Sequence, residues 1–222
     1  MKFTAEQELF AYLEQHAYAG AFSDILDEMG YRSQAISPDA HIRPLCVTFV
    51  SVGRAVTLLN APDVNEKEPY DLVIQCIDNL TEGSLLVTTG KVPLTTGIMG
   101  ELTATALRAK QCRGAIVNGY TRDSRKLIQM AYPTFAWGSS PIDTTGRARV
   151  VEYNIPITIG GVEVSPGDLV FADLDGIIVI PRAAEKEVID RVLDRISTEN
   201  AVRRELLEGK SMSDVWSRYR VL

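Results

Sequence analysis

Strand-like and helical segments alternate through the middle of the chain, and this alternation constrains the fold more than any other feature. In order, the segments are strand 85–88, helix 100–110, strand 115–118, helix 123–130 and strand 134–137. Units of this length favour a parallel central sheet with right-handed crossovers. Ligands of open α/β sheets bind at the carboxyl ends of the strands, so the loops that follow strands 85–88 and 115–118 are where a site is expected.

The flanking regions follow other patterns. Apolar spacing predicts a helix over 3–14 that is closed by Gly20, a second helix over 24–29 with Ser23 as N-cap, strands over 46–51 and 55–59, and a helix over 66–80. Short β-rich runs separated by turn signals occupy 147–181, followed by a helix over 183–208 and a shorter one that ends at Tyr219. We expect one domain over 1–222, with N-terminal helices in 3–30 and a C-terminal helical extension over 183–222.

Composition argues against several classes of protein. The 222 residues carry 23 Lys and Arg against 29 Asp and Glu, a net charge of −6 that disfavours nucleic-acid binding. His16 and His41 are too far apart for a His-rich zinc site, and Cys46, Cys76 and Cys112 form no CxxC pair. No apolar run approaches the roughly 20 residues of a membrane span. We therefore expect a cytoplasmic protein with no membrane partner.

The segment 97–103, Gly-Ile-Met-Gly-Glu-Leu-Thr, opens a helix directly after a strand and loop. Unpaired backbone N–H groups at such an end favour an anion, and Gly97 and Gly100 would let a ligand approach the backbone. A tight strand-to-helix turn without a ligand would have the same sequence.

The segment 118–123 occupies the corresponding place after the next strand. There, Asp123 could hold a hard divalent cation, while Arg122 could bind a carboxylate or a developing oxyanion. Alternatively, Asp123 is an ordinary helix N-cap. Neighbouring parallel strands would bring both segments to one crevice.

In the order and spacing of such segments the chain resembles the RraA-like superfamily, in particular its class II pyruvate aldolases. These act on 4-hydroxy-4-methyl-2-oxoglutarate and 4-carboxy-4-hydroxy-2-oxoadipate. The resemblance extends over about 22–209 and rests on Gly97-x-x-Gly100, Arg122-Asp123, Asn154-x-Pro156, the glycine-rich segment 160–170 and the segment 173–177. It implies an RraA-like layered α/β fold with a central parallel βαβ sheet, a β-rich C-terminal portion and a terminal helix.

The resemblance also implies a reaction and a site. The enzyme would cleave 4-hydroxy-2-oxo acids to pyruvate through an enolate stabilised by Mg²⁺ or Mn²⁺, and would also decarboxylate oxaloacetate. Asp123 would ligate the metal and Arg122 would contact the keto oxygen. The pyruvyl carboxylate would lie against the backbone of Gly100, Glu101, Leu102 and Thr103. Family aldolases also borrow an acidic residue from the C-terminal helix of a neighbouring subunit, for which Glu199 is the candidate, although this residue could equally be a solvated helical charge. They form homotrimers or homohexamers.

One position departs from the aldolase pattern. Lys126 stands where those enzymes have an acidic residue. We hypothesise that Arg125 or Lys126 recognises a second anionic group of the substrate; both could equally be solvated. Together with Arg122 and Asp123 they give a local charge of +2 at the predicted crevice.

Two other functions fit parts of the sequence. One is a non-catalytic regulator, like the branch of the superfamily that inhibits ribonuclease E and that lacks an Asp after the Arg. The other is a Schiff-base aldolase that uses Lys91 or Lys110, although nothing in the sequence desolvates either lysine.

Overall fold

The computed structural model describes residues 3–62, 70–92 and 95–221. The helices are α1 (Glu6–His16), α2 (Ala19–Glu28), α3 (Asp71–Asp78), α4 (Glu101–Ala109), α5 (Ser124–Gln129), α6 (Glu185–Leu207) and α7 (Met212–Tyr219). The strands are β1 (Arg43–Pro44), β2 (Ser51–Pro62), β3 (Ser84–Gly90), β4 (Gly97–Met99), β5 (Ala115–Val117), β6 (Tyr120–Thr121), β7 (Thr134–Ala136), β8 (Gly138–Ser139), β9 (Ala148–Tyr153), β10 (Ile157–Ile159), β11 (Val162–Val164), β12 (Leu169–Ala172) and β13 (Ile177–Ile180).

The predicted parallel sheet is confirmed at the centre of the fold. Strands β2, β3, β5 and β7 pair side by side in parallel, with α4 and α5 as two of the crossovers. Nearly every residue of β3, β5 and β7 is buried, as expected for strands that are covered on both faces.

The β-rich C-terminal segment completes this sheet. Strand β12 pairs antiparallel with β2 and β13 with β12, while β9 pairs with the distal half of β2. Only β10 and β11 form a hairpin of their own, turning at Gly160 and Gly161. The central sheet is therefore mixed.

Helices cover the sheet in two groups. Helices α1, α2 and α6 pack around Val52 and Phe171, whereas α3, α4 and α5 pack around Leu86 and Val117. The second group is the one that surrounds the candidate site.

The prediction for the N-terminal helices is wrong at Gly20 and Ser23, which both lie inside α2. The helix begins earlier because Ala21 and Phe22 are buried in the core, which outweighs the cost of about 1 kcal/mol for a glycine in a helix. The Asp173 carboxylate accepts a hydrogen bond from the Ala19 N–H at 2.8 Å and so stabilises this start from a distant part of the chain.

The predicted strand over 46–51 is also wrong. The Phe49 N–H donates to the Cys46 carbonyl in a turn, and β2 begins only at Ser51. The helix predicted over 66–80 is confirmed as α3 over Asp71–Asp78, and residues 66–69 lie outside the described part of the chain. Across the described residues, no helix is both long and apolar enough to cross a bilayer.

Candidate active site

A second, smaller parallel sheet holds the two segments singled out in the sequence. After β3, β5 and β7 the chain adds the short strands β4, β6 and β8, which pair in parallel in that order. Gly97 lies opposite Tyr120, and the Arg122 N–H donates to the Met99 carbonyl at 2.8 Å. The two segments therefore share one crevice, as predicted.

The glycines at 97 and 100 are required for this close approach. A Cβ atom at Gly97 would lie 2.8 Å from the Ser140 carbonyl oxygen, and one at Gly100 would lie 2.6 Å from Asp123 Oδ2. Real Cβ atoms do not approach neighbours so closely. Gly97 thus admits the Ser140 backbone and Gly100 admits the Asp123 side chain, in addition to leaving backbone open to a ligand.

Asp123 does not act as the ordinary N-cap that the sequence left open. It precedes α5 with a φ of 56°, a left-handed conformation, and its side chain makes no hydrogen bond to that helix. Its Oδ2 atom instead accepts from the Glu101 N–H at 3.2 Å, at the start of α4. Uncommon backbone conformations of this kind concentrate at functional sites. The carboxylate is thereby turned toward the crevice, where 38% of it remains exposed.

Arg122 lies between two carboxylates. Its Nη1 atom is 3.0 Å from Asp143 Oδ1, and its Nε atom is 3.6 Å from Asp123 Oδ2. A guanidinium has five N–H donors, so these contacts do not exhaust its capacity. The side chain is 35% exposed and can contact a ligand in the crevice.

Asp143 is fixed by several donors. Burial raises its pKa, but this is outweighed by hydrogen bonds from the Thr144 N–H and from the Tyr70 and Thr145 hydroxyls and by the charge of Arg122, so that the pKa lies below the ordinary 3.8. The Thr144 N–H donates at 2.8 Å and the Tyr70 hydroxyl at 3.1 Å. Asp143 therefore stays ionised at neutral pH and keeps Arg122 in place.

The crevice opens into a cavity of about 500 Å³. Arg122, Asp123 and Asp143 lie in its wall together with the start of α4, and Arg149 contributes a second cation. The rest of the wall is mainly apolar and comes from β2, β3, β9, α3 and α4. Both segments that were predicted to hold substrate and metal contribute to this wall.

The predicted backbone cradle at 100–103 lies at the start of α4. The Glu101 N–H is already bonded to Asp123, whereas Leu102 and Thr103 line the cavity. As the second and third residues of a helix they have N–H groups without an intrahelical acceptor. An anion in the cavity could therefore accept from Leu102 and Thr103, while the part predicted for Glu101 is taken by Asp123.

The basic residues after Asp123 do not form the local +2 charge that the sequence suggested. Lys126 pairs with Glu101 at 3.4 Å, and neither it nor Arg125 is among the cavity-lining residues. The ionised side chains of the described wall are two cations, Arg122 and Arg149, and two anions, Asp123 and Asp143, so their charges balance.

Glu199 lies on α6, where its carboxylate accepts a hydrogen bond from the Tyr18 hydroxyl. Burial, together with this carboxylate, raises the pKa of Tyr18. Glu199 is not among the cavity-lining residues of its own chain, and its role in a neighbouring subunit's site stays a prediction.

Lys91 and Lys110, the candidates for a Schiff base, do not line this cavity either, and Lys110 donates to the Asp78 carbonyl at 2.9 Å.

The wall residues that sequence reasoning missed include Tyr70, Asp143 and Arg149. Asp143 belongs to the loop before β9, 20 residues after Asp123, where no motif marks it. The available signal was its position in the series of βα units. Asp143 follows β8 as Arg122 follows β6, and these two strands pair.

The fold and site define an α/β protein with an Arg–Asp pair at the carboxyl ends of parallel strands. The chain matches the model of the RraA-like family, described as Aldolase/RraA, over residues 21–179, and it belongs to that family.

Relatives from three organisms support this assignment. Protein DlpA of Legionella pneumophila is 27% identical over 89% of this chain, which spans only 31% of DlpA. A Halalkalibacterium halodurans protein named "Putative 4-hydroxy-4-methyl-2-oxoglutarate aldolase" is 28% identical over 76% of this chain and 77% of its own. The crystal structure of Streptomyces coelicolor RraAS2, titled an unusual member of the RNase ES inhibitor RraA protein family, superposes with a TM-score of 0.77 at 25% identity, covering 91% of this chain and 99% of that one.

Proposed function

We propose that this protein is a divalent-metal-dependent lyase that cleaves 4-hydroxy-2-oxo acids to pyruvate and also decarboxylates oxaloacetate. The observation that carries the proposal is the placement of Asp123. Its carboxylate leaves its own helix uncapped and is turned into a cavity that Arg122 also lines. The name of the Halalkalibacterium relative points to the same reaction class.

The donor set fits Mg²⁺ or Mn²⁺ held mainly by one carboxylate. No group of three or more His, Cys, Asp or Glu side chains among the described residues is arranged to hold a metal ion. Mg²⁺ commonly uses one or two carboxylates and completes its shell with water and substrate oxygens. Gly100 leaves the space that Asp123 Oδ2 occupies, so the carboxylate is held at the cavity wall. A bound divalent cation would supply a Lewis acid that polarises the 2-oxo group.

The protein's own groups would act on the substrate's charges. The N–H groups of Leu102 and Thr103 would bind the carboxylate at the start of α4. Arg122 would donate to the 2-oxo oxygen, where negative charge grows as the enolate forms, so its contribution is largest in the transition state. Asp143 would keep the guanidinium aimed at that oxygen.

A non-catalytic regulator is the second candidate, because the chain also superposes on RraAS2. A regulator that works through a protein surface does not need a carboxylate inside a cavity. The presence of Asp123 in the cavity wall favours the lyase.

A pyruvate-release assay tests the lyase. Purified protein is supplied with oxaloacetate and with 4-hydroxy-2-oxo acids, with Mg²⁺ or with a chelator. We expect release with Mg²⁺, loss with chelator and recovery when Mg²⁺ is restored. Pyruvate release that persists with the chelator, together with covalent trapping of pyruvate on the protein by borohydride, would instead indicate a Schiff base. Absence of release from every substrate would leave the regulator as the better account.

A further inference from the structure

Two buried polar side chains line the cavity where it meets the central sheet. Asn60 on β2 is 4% exposed and Thr88 on β3 is 1% exposed, and both contribute to the cavity wall. Side chains alternate between the two faces of a strand, so Thr88 shares the face of Leu86, which is covered by α3 and α4 and also lines the cavity. Their burial places Asn60 and Thr88 deep in the cavity.

The two side chains are fixed to each other and to the sheet. Asn60 Nδ2 donates to Thr88 Oγ1 at 2.6 Å and to the Thr89 carbonyl at 3.1 Å. A backbone carbonyl can only accept, so it determines which end of the amide faces β3. Both amide hydrogens are used in these two bonds. The Thr88 O–H is then the donor of the pair, and Asn60 Oδ1 is its acceptor.

A donor beside an acceptor matches a hydroxyl group, because a hydroxyl both donates and accepts. A carboxylate only accepts, so an oxygen of a carboxylate placed here would face Asn60 Oδ1 without a hydrogen between them. Buried polar groups that lack a partner are costly. The part of a ligand that meets this pair is therefore expected to carry a hydroxyl.

We infer that Asn60 and Thr88 bind the C4 hydroxyl of a 4-hydroxy-2-oxo acid and so favour this class of substrate over oxaloacetate. The inference rests on the proposed lyase function. There, the carboxylate of the substrate lies at the start of α4 and its 2-oxo oxygen lies at Arg122. The C4 hydroxyl is the next oxygen along such a molecule, two carbons beyond the 2-oxo group.

The pair would hold this oxygen throughout the cleavage. The C4 hydroxyl loses its proton to solvent, the C3–C4 bond breaks, and the electron pair of that bond passes to C3. C4 leaves as the carbonyl carbon of an aldehyde or ketone, and Thr88 still donates to its oxygen. The enolate that remains takes a proton from solvent at C3 to give pyruvate.

Oxaloacetate provides the comparison, because it has a carboxylate at C4 instead of a hydroxyl. This carboxylate leaves as neutral CO₂, so a hydrogen bond from Thr88 would stabilise the charged ground state more than the transition state. Loss of the Thr88 hydroxyl should therefore not slow decarboxylation. 4-Hydroxy-2-oxoglutarate and oxaloacetate are both dianions that yield pyruvate, but only the first has a hydroxyl at C4.

Thr88→Val and Thr89→Val form a matched pair of variants. Thr89 is the next residue of β3, its hydroxyl accepts from the Asn118 amide at 2.9 Å, and it does not line the cavity. Each substitution deletes one buried hydroxyl that accepts from one amide, so the two should cost similar stability. With Mg²⁺, Thr88→Val should lower kcat/KM for 4-hydroxy-2-oxoglutarate about tenfold, as for a lost hydrogen bond between neutral groups, and leave that for oxaloacetate within about twofold. Thr89→Val should change neither value.

Further variants separate the hydroxyl from packing. Thr88→Ser keeps the hydroxyl and should retain the wild-type ratio of the two kcat/KM values. Thr88→Ala carries the same expectation as Thr88→Val if valine prevents folding. No loss for 4-hydroxy-2-oxoglutarate, an equal loss for both substrates, or the same loss in Thr89→Val would overturn the inference and leave the lyase intact. Absence of pyruvate release from both substrates with the wild-type protein would overturn both proposals.

Discussion

Arg54 and Arg122 are each placed between two carboxylates, but to different effect. Arg54, on β2, donates through Nε to Glu6 at 2.9 Å and through Nη2 to Glu185 at 2.6 Å, which ties α1 and α6 to the sheet. Its side chain is 18% exposed. Of the carboxylates in the described part of the chain, only that of Asp143 lies within hydrogen-bond distance of the Arg122 side chain, which lines a cavity.

The difference shows how the same residue types can serve stability or chemistry. The carboxylates around Arg54 come from two helices and accept from Nε, Nη1 and Nη2. All three nitrogens of the guanidinium therefore serve to hold the fold together. Around Arg122 the carboxylates come from loops and contact Nε and Nη1, and the side chain lines the cavity. Mutations at the two clusters should therefore separate activity from stability.

The largest loss of activity is expected for Asp123→Ala, because it removes the one carboxylate proposed to hold the metal. We expect kcat for oxaloacetate decarboxylation to fall by at least about 1,000-fold and the Mg²⁺ dependence to disappear. The melting temperature should fall by only a few degrees, because the variant loses one hydrogen bond, from the Glu101 N–H, and places alanine at a φ of 56°. Asp39→Ala, at an exposed position outside the cavity wall, is the control. Full Mg²⁺-stimulated activity of Asp123→Ala would refute the proposed site.

The next largest effect is expected for Arg122→Ala. Loss of a donor to a developing oxyanion costs on the order of 100- to 1,000-fold in kcat. KM and metal binding should change less, because the charge on the substrate oxygen develops during the reaction. Arg125→Ala, three residues away and outside the cavity wall, should leave kcat and KM unchanged. A change confined to KM in Arg122→Ala would make this arginine a ground-state binder.

A smaller effect is expected for Asp143→Asn, which keeps the shape but removes the charge that holds Arg122. We expect kcat to fall about tenfold, as for a weakened charge-assisted contact, with KM little changed. Because the pKa of Asp143 lies below 3.8, its ionised form persists above that pH and is lost as the pH falls through the lowered value. The ratio of wild-type to variant kcat should therefore stay constant from pH 7 to about pH 4.5. A ratio that declines within that range would contradict the assignment.

Arg54→Met should leave the pyruvate-release rate unchanged and act only on stability. Loss of charged hydrogen bonds at this half-buried cluster costs about 2 kcal/mol, which for a chain of this size lowers Tm by roughly 4–8 °C. Lys186→Met breaks an exposed pair with Asp190 and should shift Tm by no more than about 2 °C. Thermal unfolding of both variants measures the contrast. Reduced kcat in Arg54→Met at low temperature would show that the two clusters are coupled.

Much of the fold was predictable because local patterns and tertiary contacts agree in the middle of the chain. Strands β3, β5 and β7 are apolar runs and α4 shows helical spacing, so each was located within two or three residues. The start of α2 was mistaken because it depends on Asp173, which lies 154 residues from Ala19. The strand predicted over 46–51 failed because its apolar residues pack in a turn instead of pairing.

The sequence by itself determined the parallel βα core and the pairing of a glycine-rich helix start with Arg122 and Asp123, because both follow from short-range patterns. Only the tertiary structure decided where each carboxylate points. It turned Asp123 away from its own helix, joined Asp143 to Arg122 and removed Lys126 from the cavity by pairing it with Glu101. Those contacts join separate βα units, and their geometry is set by the packing of β4, β6 and β8, which no local pattern encodes.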